Sequence, residues 1–176
     1  MTTQLTSPAS VGRSSVLADH LGADSLVKDA LMVLAGASLV GVLAQVSVPM
    51  WPVPITGQTL GVLLVGAILG ARRGALSLLS YMLLGLAGMP WFSAASGGLA
   101  ALAKPSFGYI LGFIPAAWLI GKLSERAWDR HFWLSLAAFG GATLIPFIVG
   151  IPYMWAVLRI GGVSMSLTEA LNAGFT

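Results

Sequence analysis

The chain has 176 residues, of which 57% are hydrophobic and only 9% are charged, and its formal net charge is +3. Soluble domains carry about 25% charged residues, so the composition argues strongly against a soluble protein. The absence of cysteine excludes disulfide and thiolate chemistry. Four long stretches carry no Asp, Glu, Lys or Arg: 30–71, 74–103, 105–121 and 132–158. Because a transmembrane helix needs about 20 apolar residues, an integral membrane protein is predicted.

The first residues and the two histidines carry no sign of a metal site or of export. Residues 1–27 are polar and mixed in charge, and they lack the pattern of a signal peptide. We expect them to form a cytoplasmic tail ahead of a transmembrane domain over 28–176. His20 and His131 lie far apart and outside the apolar runs, which favours solvated side chains over a metal site. No metal and no cofactor are expected, and without a basic cluster interleaved with aromatics no nucleic acid is expected as a partner.

Charges, prolines and glycines divide the rest of the chain into helical spans. They predict an all-α, compact polytopic bundle with spans at about 29–47, 57–71, 74–89, 107–122 and 132–158. The second and third of these five spans are short for a hydrocarbon core of about 30 Å. After the fifth span, Thr168 is expected to cap a helix that runs on from Glu169.

The positions of Lys and Arg predict the orientation of these spans. With the N-terminus in the cytoplasm, seven basic residues lie inside, and only Lys104 and Arg159 lie outside. The inside set is Arg13, Lys28, Arg72, Arg73, Lys122, Arg126 and Arg130. This asymmetry fits the positive-inside rule. The outer loops are rich in Pro, Gly and Ser, and irregular backbone at membrane depth is tolerated only in protein or beside a cavity. We therefore expect a ligand site at the outer end.

The apolar runs offer no chemistry for catalysis or for ion coupling. They contain no ionisable side chain of the kind that proton- or sodium-coupled carriers use. The chain has neither a G-x-x-x-x-G-K-[ST] loop nor a G-x-S-x-G turn. The sequence thus indicates a protein that binds a ligand and is not an enzyme, and any energy for transport has to come from a partner.

The first span carries a face of small residues, formed by Ala30, Ala37, Gly41 and Ala44. Small residues let a second helix backbone approach closely. From the spacing alone, a partner protein and the protein's own helices are equally good candidates for this face.

Several ordered motifs over 52–113 resemble the BioY family, the biotin-binding S components of energy-coupling-factor (ECF) importers. The motifs are P-V-P-x-T-x-Q-T-L at 52–60, G-x-R-R-G at 70–74, L-x-G-x-x-G-x-P-x-F at 83–92, and P-x-x-G-Y-x-x-G-F at 105–113. The resemblance implies a bacterial inner-membrane protein, normally of six spans, that binds biotin near the outer surface. The loop between helices one and two is implied to close over the pocket.

The resemblance also implies partners. Family members associate with a transmembrane coupling subunit and two ATP-hydrolysing subunits, and small residues of helix one contact the coupling subunit in related S components. This favours a partner contact for the small-residue face. Family members usually continue beyond a position like Thr176 with a P-x-x-x-G-D-x-x-K element that opens a sixth helix and contributes to the site. This sequence ends before that element, either because the protein continues beyond Thr176 or because it has five spans, so the binding residues of that element are not part of it.

Biotin has an apolar bicyclic body, a ureido group and a carboxylate tail, so its pocket should offer aromatic walls, fixed polar groups and one cation. The candidate substrate-binding residues are Trp51, Trp91, Phe92 and Tyr109 as walls, Gln58, Thr59, Ser93 and Ser96 as polar partners, and Lys104 or Arg159 as the cation. Interfacial anchoring is the alternative for the tryptophans, and hydrogen bonding within the proline-rich loop is the alternative for Gln58. We predict that this loop, MWPVPITGQTLG at 50–61, is an apolar lid.

Two other functions stay open. The same fold would suit another vitamin with a carboxylate tail, which competition against biotin would reveal. A passive pore or a scaffold without a small ligand is the other alternative. The apolar spans carry no continuous polar stripe, which argues mildly against a pore.

Overall fold

A computed structural model describes residues 16, 26–126, 132–164 and 166–175. Its helices are α1 Leu26–Gln45, α2 Gln58–Leu86, α3 Phe107–Ser124, α4 Phe132–Ile160 and α5 Leu167–Phe175. A two-stranded antiparallel hairpin, β1 Ser47–Val48 and β2 Ile55–Thr56, joins α1 to α2. Two short 3-10 segments, Ser93–Ala95 and Leu99–Ala103, lie between α2 and α3. His20, His131 and most of the predicted tail over 1–27 lie outside the described residues.

Helix α2 folds back on itself at Gly70. This residue has φ +82°, a conformation that glycine adopts without steric cost. A Cβ on Gly74 would lie 3.0 Å from the Gly66 Cα, whereas residues eight apart in a straight helix are about 12 Å apart. The two arms of α2, 58–69 and 71–86, are therefore antiparallel neighbours.

Four described helices are long and apolar enough to cross a membrane by length and composition: Leu26–Gln45, Gln58–Leu86, Phe107–Ser124 and Trp133–Ile160. The prediction of an all-α membrane bundle is confirmed. The two arms of α2 correspond to the predicted spans at 57–71 and 74–89, and they explain why those spans are short. At 1.5 Å per residue, a 12-residue arm reaches only about 18 Å, and the two arms pack against each other as a helical hairpin.

Helix α2 lies between α1 and α3, and small residues bring these helices into close contact. A Cβ on Gly36 of α1 would lie 2.6 Å from the Ser77 Oγ of the second arm. A Cβ on Gly66 would lie 2.6 Å from the Ala117 carbonyl oxygen of α3. In a membrane, helix association depends on such close packing, because lipid tails are as apolar as leucine.

A charged cluster at one end of the bundle fastens these three helices together. Arg73 Nε donates to Asp29 Oδ1 at 2.9 Å, which ties α2 to the start of α1. The Glu125 carboxylate, just after α3, accepts a hydrogen bond from the Ala71 amide at 2.9 Å. It thereby caps the N-terminus of the second arm, where a negative charge also opposes the helix dipole. We call this the basic end, since Arg72 and Lys122 lie there as well.

The small-residue face of α1 is mostly inside the protein. Ala37 and Ala44 are fully buried, and Gly41 is buried against the Trp91 ring, where a Cβ would lie 3.0 Å from Cε3. Of the four predicted partner-interface residues, only Ala30 is exposed. The protein's own helices and loop thus cover Ala37, Gly41 and Ala44 in this structure, and Ala30 is the exposed member of the predicted partner face.

Helix α5 begins two residues earlier than predicted, and Ser166 caps it instead of Thr168. The Ser166 backbone amide donates to Glu169 Oε2 at 2.8 Å, and the Glu169 amide donates to Ser166 Oγ at 3.2 Å. This reciprocal arrangement is a capping box. The hydrogen bond from the Ser166 backbone amide, with a second from its hydroxyl, lowers the pKa of the Glu169 carboxyl.

Candidate functional site

A cavity of about 280 Å³ lies at the end of the bundle away from the charged cluster. It is close to the lower limit of about 300 Å³ that is usual for small-molecule sites. The β1–β2 hairpin with its turn, residues 47–56, forms one wall, and we call it the lid. The segment 91–98, which we call the serine loop, forms a second wall. The start of α2, the segment that holds Ala101 and Lys104, and helices α3, α4 and α5 form the rest.

Seven of the ten predicted substrate-binding residues line this cavity. They are Gln58, Thr59, Phe92, Ser93, Ser96, Lys104 and Tyr109. The other three, Trp51, Trp91 and Arg159, do not line it. Trp51 lies at the tip of the lid with 70% of its surface exposed. The Arg159 guanidinium lies over the Trp155 ring, 4.8 Å from its centroid, so this cation is held on the surface of α4.

Trp91 and Gln58 belong to a hydrogen-bonded network that joins the lid to the serine loop. The Gln58 amide nitrogen donates to the Tyr81 hydroxyl at 2.6 Å, and Thr56 Oγ1 donates to Gln58 Oε1 at 3.0 Å. The Tyr81 hydroxyl donates in turn to the Trp91 carbonyl at 3.2 Å, and the Trp91 indole donates to the Tyr81 carbonyl at 3.0 Å. Trp91 is therefore held within this network, while one N–H and one lone pair of the Gln58 amide have no partner among the described contacts.

The serine loop has an unusual backbone that turns its polar groups into the cavity. Phe92 and Ser96 exchange backbone hydrogen bonds of 2.9 and 3.3 Å across the loop. Between them, Ala94 and Ala95 have φ values of +57° and +50°. The Ser96 hydroxyl donates to the Ser93 carbonyl at 2.9 Å. Both serines thus stand on a tight turn at the cavity wall.

Aromatic rings form the deeper walls. Phe92 and Phe107 meet edge to face with centroids 6.4 Å apart, and Tyr109 and Phe147 meet at 5.6 Å and 88°. Such edge-to-face pairs stabilise each other beyond simple burial. The rings therefore offer a preformed apolar surface for the body of a ligand.

Several lining residues were not among the candidates. Phe107 and Phe113 line the cavity from α3, together with Ile110. Their three-residue spacing beside Tyr109 was the signal that could have found them. Phe147 of α4 had no such signal, because it sits in a helix that is apolar on all sides. Ala173 of α5 had no sequence signal either, because the position of α5 depends on its packing against α4.

Lys104 is the one charged residue among the described residues that line the cavity. It follows the 3-10 segment Leu99–Ala103 and is exposed at the mouth. Within the described part of the chain, no carboxylate forms an ion pair with its ammonium group. An apolar cavity with hydroxyl and amide groups and a cation at its mouth can hold an apolar molecule that carries one negative charge.

Fold and cavity together define a small polytopic helical membrane protein with a lidded site for a small ligand. The fold resembles a crystal structure described as the S-component for biotin from an ECF-type ABC transporter, with a TM-score of 0.74 and 23% sequence identity. That similarity covers 87% of this chain and 84% of the other. Residues 10–176 match the BioY family, and this chain belongs to that family. The resemblance over 52–113 is thereby confirmed.

Named relatives agree with this assignment. A protein named biotin transporter BioY from Rhizobium etli is 39% identical over 128 residues, which are 69% of this chain and 68% of the relative. Proteins of the same name from Rhodobacter capsulatus and Thermotoga maritima are 42% and 33% identical, over 62% and 78% of this chain. The matches span 58% and 77% of those two relatives.

Proposed function

We propose that this chain is the substrate-binding subunit of a biotin importer. Membership of the BioY family and the names of the relatives support biotin as the ligand. The observation that carries the proposal is the cavity itself, which has aromatic walls, a small set of polar groups and a cation at its mouth beneath a lid.

The parts of biotin match the parts of the cavity. The apolar bicyclic body packs between the rings of Phe92, Phe107 and Phe147, which present apolar surface at the wall. The ureido group, with two N–H donors and one carbonyl, hydrogen-bonds to Gln58 and to the hydroxyls of the serine loop. The acyl tail extends to the mouth, where its carboxylate meets Lys104. This placement leaves no charge of the ligand in the apolar interior.

Energy for uptake comes from partner subunits. Within the described residues, the apolar spans hold no ionisable pair that could drive transport, and the chain has no phosphate-binding loop. We infer that it works without an ATPase of its own, with a transmembrane coupling subunit and two ATP-hydrolysing subunits of the ECF type. The name of the structural neighbour, an ECF-type S-component, supports this assignment.

The proposed place of the protein is the bacterial inner membrane, with the N-terminus and the basic end in the cytoplasm. The positive-inside rule supports this orientation, because Arg72, Arg73 and Lys122 all lie at the basic end. The lid then faces the outside, from which the vitamin has to be captured.

Equilibrium binding of radiolabelled biotin to the purified full-length protein, in detergent or nanodiscs, tests the proposal. We expect saturable binding with one site per chain. Unlabelled biotin should displace the label, while other vitamins with a carboxylate should not. The absence of saturable binding, or equal displacement by another such vitamin, would contradict biotin as the substrate.

A further inference from the structure

We propose that Gln45, the last residue of α1, is a positioning residue that holds the serine loop in the shape that the site requires. The identity of the ligand in this inference rests on the proposed function, whereas the effect on the loop does not. Gln45 does not line the cavity. It acts through the backbone of the residues that do.

Four hydrogen bonds connect the Gln45 side chain to backbone groups. Its amide nitrogen lies 3.0 Å from the Gly41 carbonyl, 3.1 Å from the Trp91 carbonyl and 3.3 Å from the Phe92 carbonyl. Because this nitrogen carries two hydrogens, one of them is shared between two carbonyls. Its amide oxygen accepts a hydrogen bond from the Ala95 amide at 3.0 Å. One planar amide therefore bonds both limbs of the loop.

The loop needs such a support because of its own backbone. Ala94 and Ala95 adopt positive φ values, which L-residues other than Asn and Asp rarely do. Each such residue has an unfavourable conformational energy that its surroundings have to offset. Gly97 and Gly98 follow after Ser96, so the segment has little intrinsic preference for this shape.

The two ends of the loop differ in how they are held. The Trp91 carbonyl accepts hydrogen bonds from both Gln45 and Tyr81, so its position does not depend on Gln45 alone. For the Ala95 amide, Gln45 is the side-chain partner in the described part of the chain. Loss of the Gln45 amide should thus release the interior of the loop, with Ser93 and Ser96, more than its start.

The position of Gln45 also links the loop to the lid. The lid begins two residues later at Ser47, and the Gly57 amide at its far end donates to the Val46 carbonyl at 2.9 Å. Gln45 thus ends α1, precedes the lid and is hydrogen-bonded to the serine loop, which forms the other wall of the cavity. Gln45 fixes the distance between the two walls that enclose the ligand.

Two substitutions of Gln45 distinguish hydrogen bonding by its amide from simple filling of space. Gln45→Met keeps the length and bulk of the side chain but removes both the donor and the acceptor. Gln45→Glu keeps an acceptor for the Ala95 amide but directs negative charge at three carbonyl oxygens. We expect the order of loop protection and of affinity to be glutamine, then methionine, then glutamate. A residue that only filled space would tolerate methionine.

The test combines hydrogen–deuterium exchange in the ligand-free protein with equilibrium binding of radiolabelled biotin. For Gln45→Met we expect amides of 93–97 to exchange about tenfold faster, and biotin affinity to fall about tenfold, as for one lost hydrogen bond of ordinary strength. Exchange in α3 and α4 should not change. The matched control is Thr143→Val, which removes a 2.7 Å side-chain hydrogen bond to the Phe139 carbonyl at a residue that does not line the cavity.

Unchanged exchange at 93–97 in Gln45→Met would overturn the inference, whatever the ligand is. Equal affinity of Gln45→Met and wild type for biotin would overturn it as well. If the wild type does not bind biotin at all, the proposed function fails, and the exchange measurement still decides the role of Gln45. If Gln45→Glu does not fold, Gln45→Met alone decides between the outcomes.

Discussion

At the scale of single residues, the structure separates two cations that the sequence could not tell apart. Lys104 and Arg159 were both expected on the outer side, and either could have met a carboxylate. The structure places Lys104 at the mouth of the cavity and Arg159 on the ring of Trp155. The long aliphatic stem of Lys104 can lie along the apolar wall while its ammonium group stays in water. We therefore expect Lys104, and not Arg159, to meet the carboxylate of a ligand in the cavity.

Lys104→Met should weaken the binding of biotin about fivefold, because an exposed ion pair contributes about 1 kcal/mol. Biotinamide, which has no carboxylate, should bind wild type and variant equally. Arg159→Met is the control and should leave both ligands unaffected. Titration calorimetry with the two ligands measures this, and an equal loss for biotin and biotinamide would place the carboxylate elsewhere.

At the scale of elements, the turn at Gly70 determines how α2 is used. The predicted break between two short spans rested on Arg72, Arg73 and the flanking glycines, and the structure has its reversal at that point. The hairpin brings Gln58 of one arm to Tyr81 of the other, although 23 residues separate them. The network that supports the lid therefore depends on a turn at the opposite end of the molecule.

Gly70→Ala should lower the stability of the fold by about 1–2 kcal/mol, since an L-residue at positive φ is strained. Its Cβ would in addition lie 3.0 Å from Glu125 Oε1, the oxygen that caps the second arm. Gly140→Ala is the matched control, because a Cβ there meets nothing within 4 Å and α4 gains helix propensity. Reversible unfolding in mixed micelles compares the two, and equal stabilities would contradict the account of the turn.

The capping box should make the helical structure of α5, which lines part of the cavity, sensitive to acid. The pKa of Glu169 is lowered in the folded chain from its ordinary value of 4.5. The contribution to stability is therefore complete above pH 4.5 and is lost as the pH falls through the lower folded value. We expect amide protection of 167–175, corrected for the intrinsic rate, to decrease in that range.

Ser166→Ala should remove one arm of the capping box and make α5 less protected at neutral pH. Thr168→Ala, at the position predicted as the cap, is the control and should change little, because the Thr168 hydroxyl contacts only the Ser166 hydroxyl among the described contacts. If Thr168→Ala has the larger effect, the assignment of the cap to Ser166 is wrong.

At the scale of the whole molecule, local sequence patterns predict the fold better than they predict which residues contact each other. Apolar runs and their breaks predicted the bundle and the division of α2, because both depend on the nearby sequence. The face of Ala37, Gly41 and Ala44 was ambiguous, because small residues suit any close helix neighbour. The sequence predicts Trp91 as a wall of the pocket, because spacing does not show that its indole donates to the Tyr81 carbonyl. Long-range partners of this kind follow only from the packed structure.

The orientation of the whole molecule decides which side of the membrane supplies the ligand, and the absence of cysteine makes it directly measurable. Leu99→Cys places a thiol at the lid end, on a side chain that is 71% exposed and does not line the cavity. Leu26→Cys places one beside the basic end, on a side chain that is 90% exposed. Neither change alters the charges on which the positive-inside rule depends.

With the lid outside, a membrane-impermeant maleimide should label Leu99→Cys on intact cells and label Leu26→Cys only after permeabilisation. Both variants should react fully in detergent, which controls for the reactivity of each thiol. The reverse pattern on intact cells would place the cavity on the cytoplasmic side. A capture role for external biotin would then be untenable, because the lid and Lys104 would face the compartment into which an importer delivers its substrate.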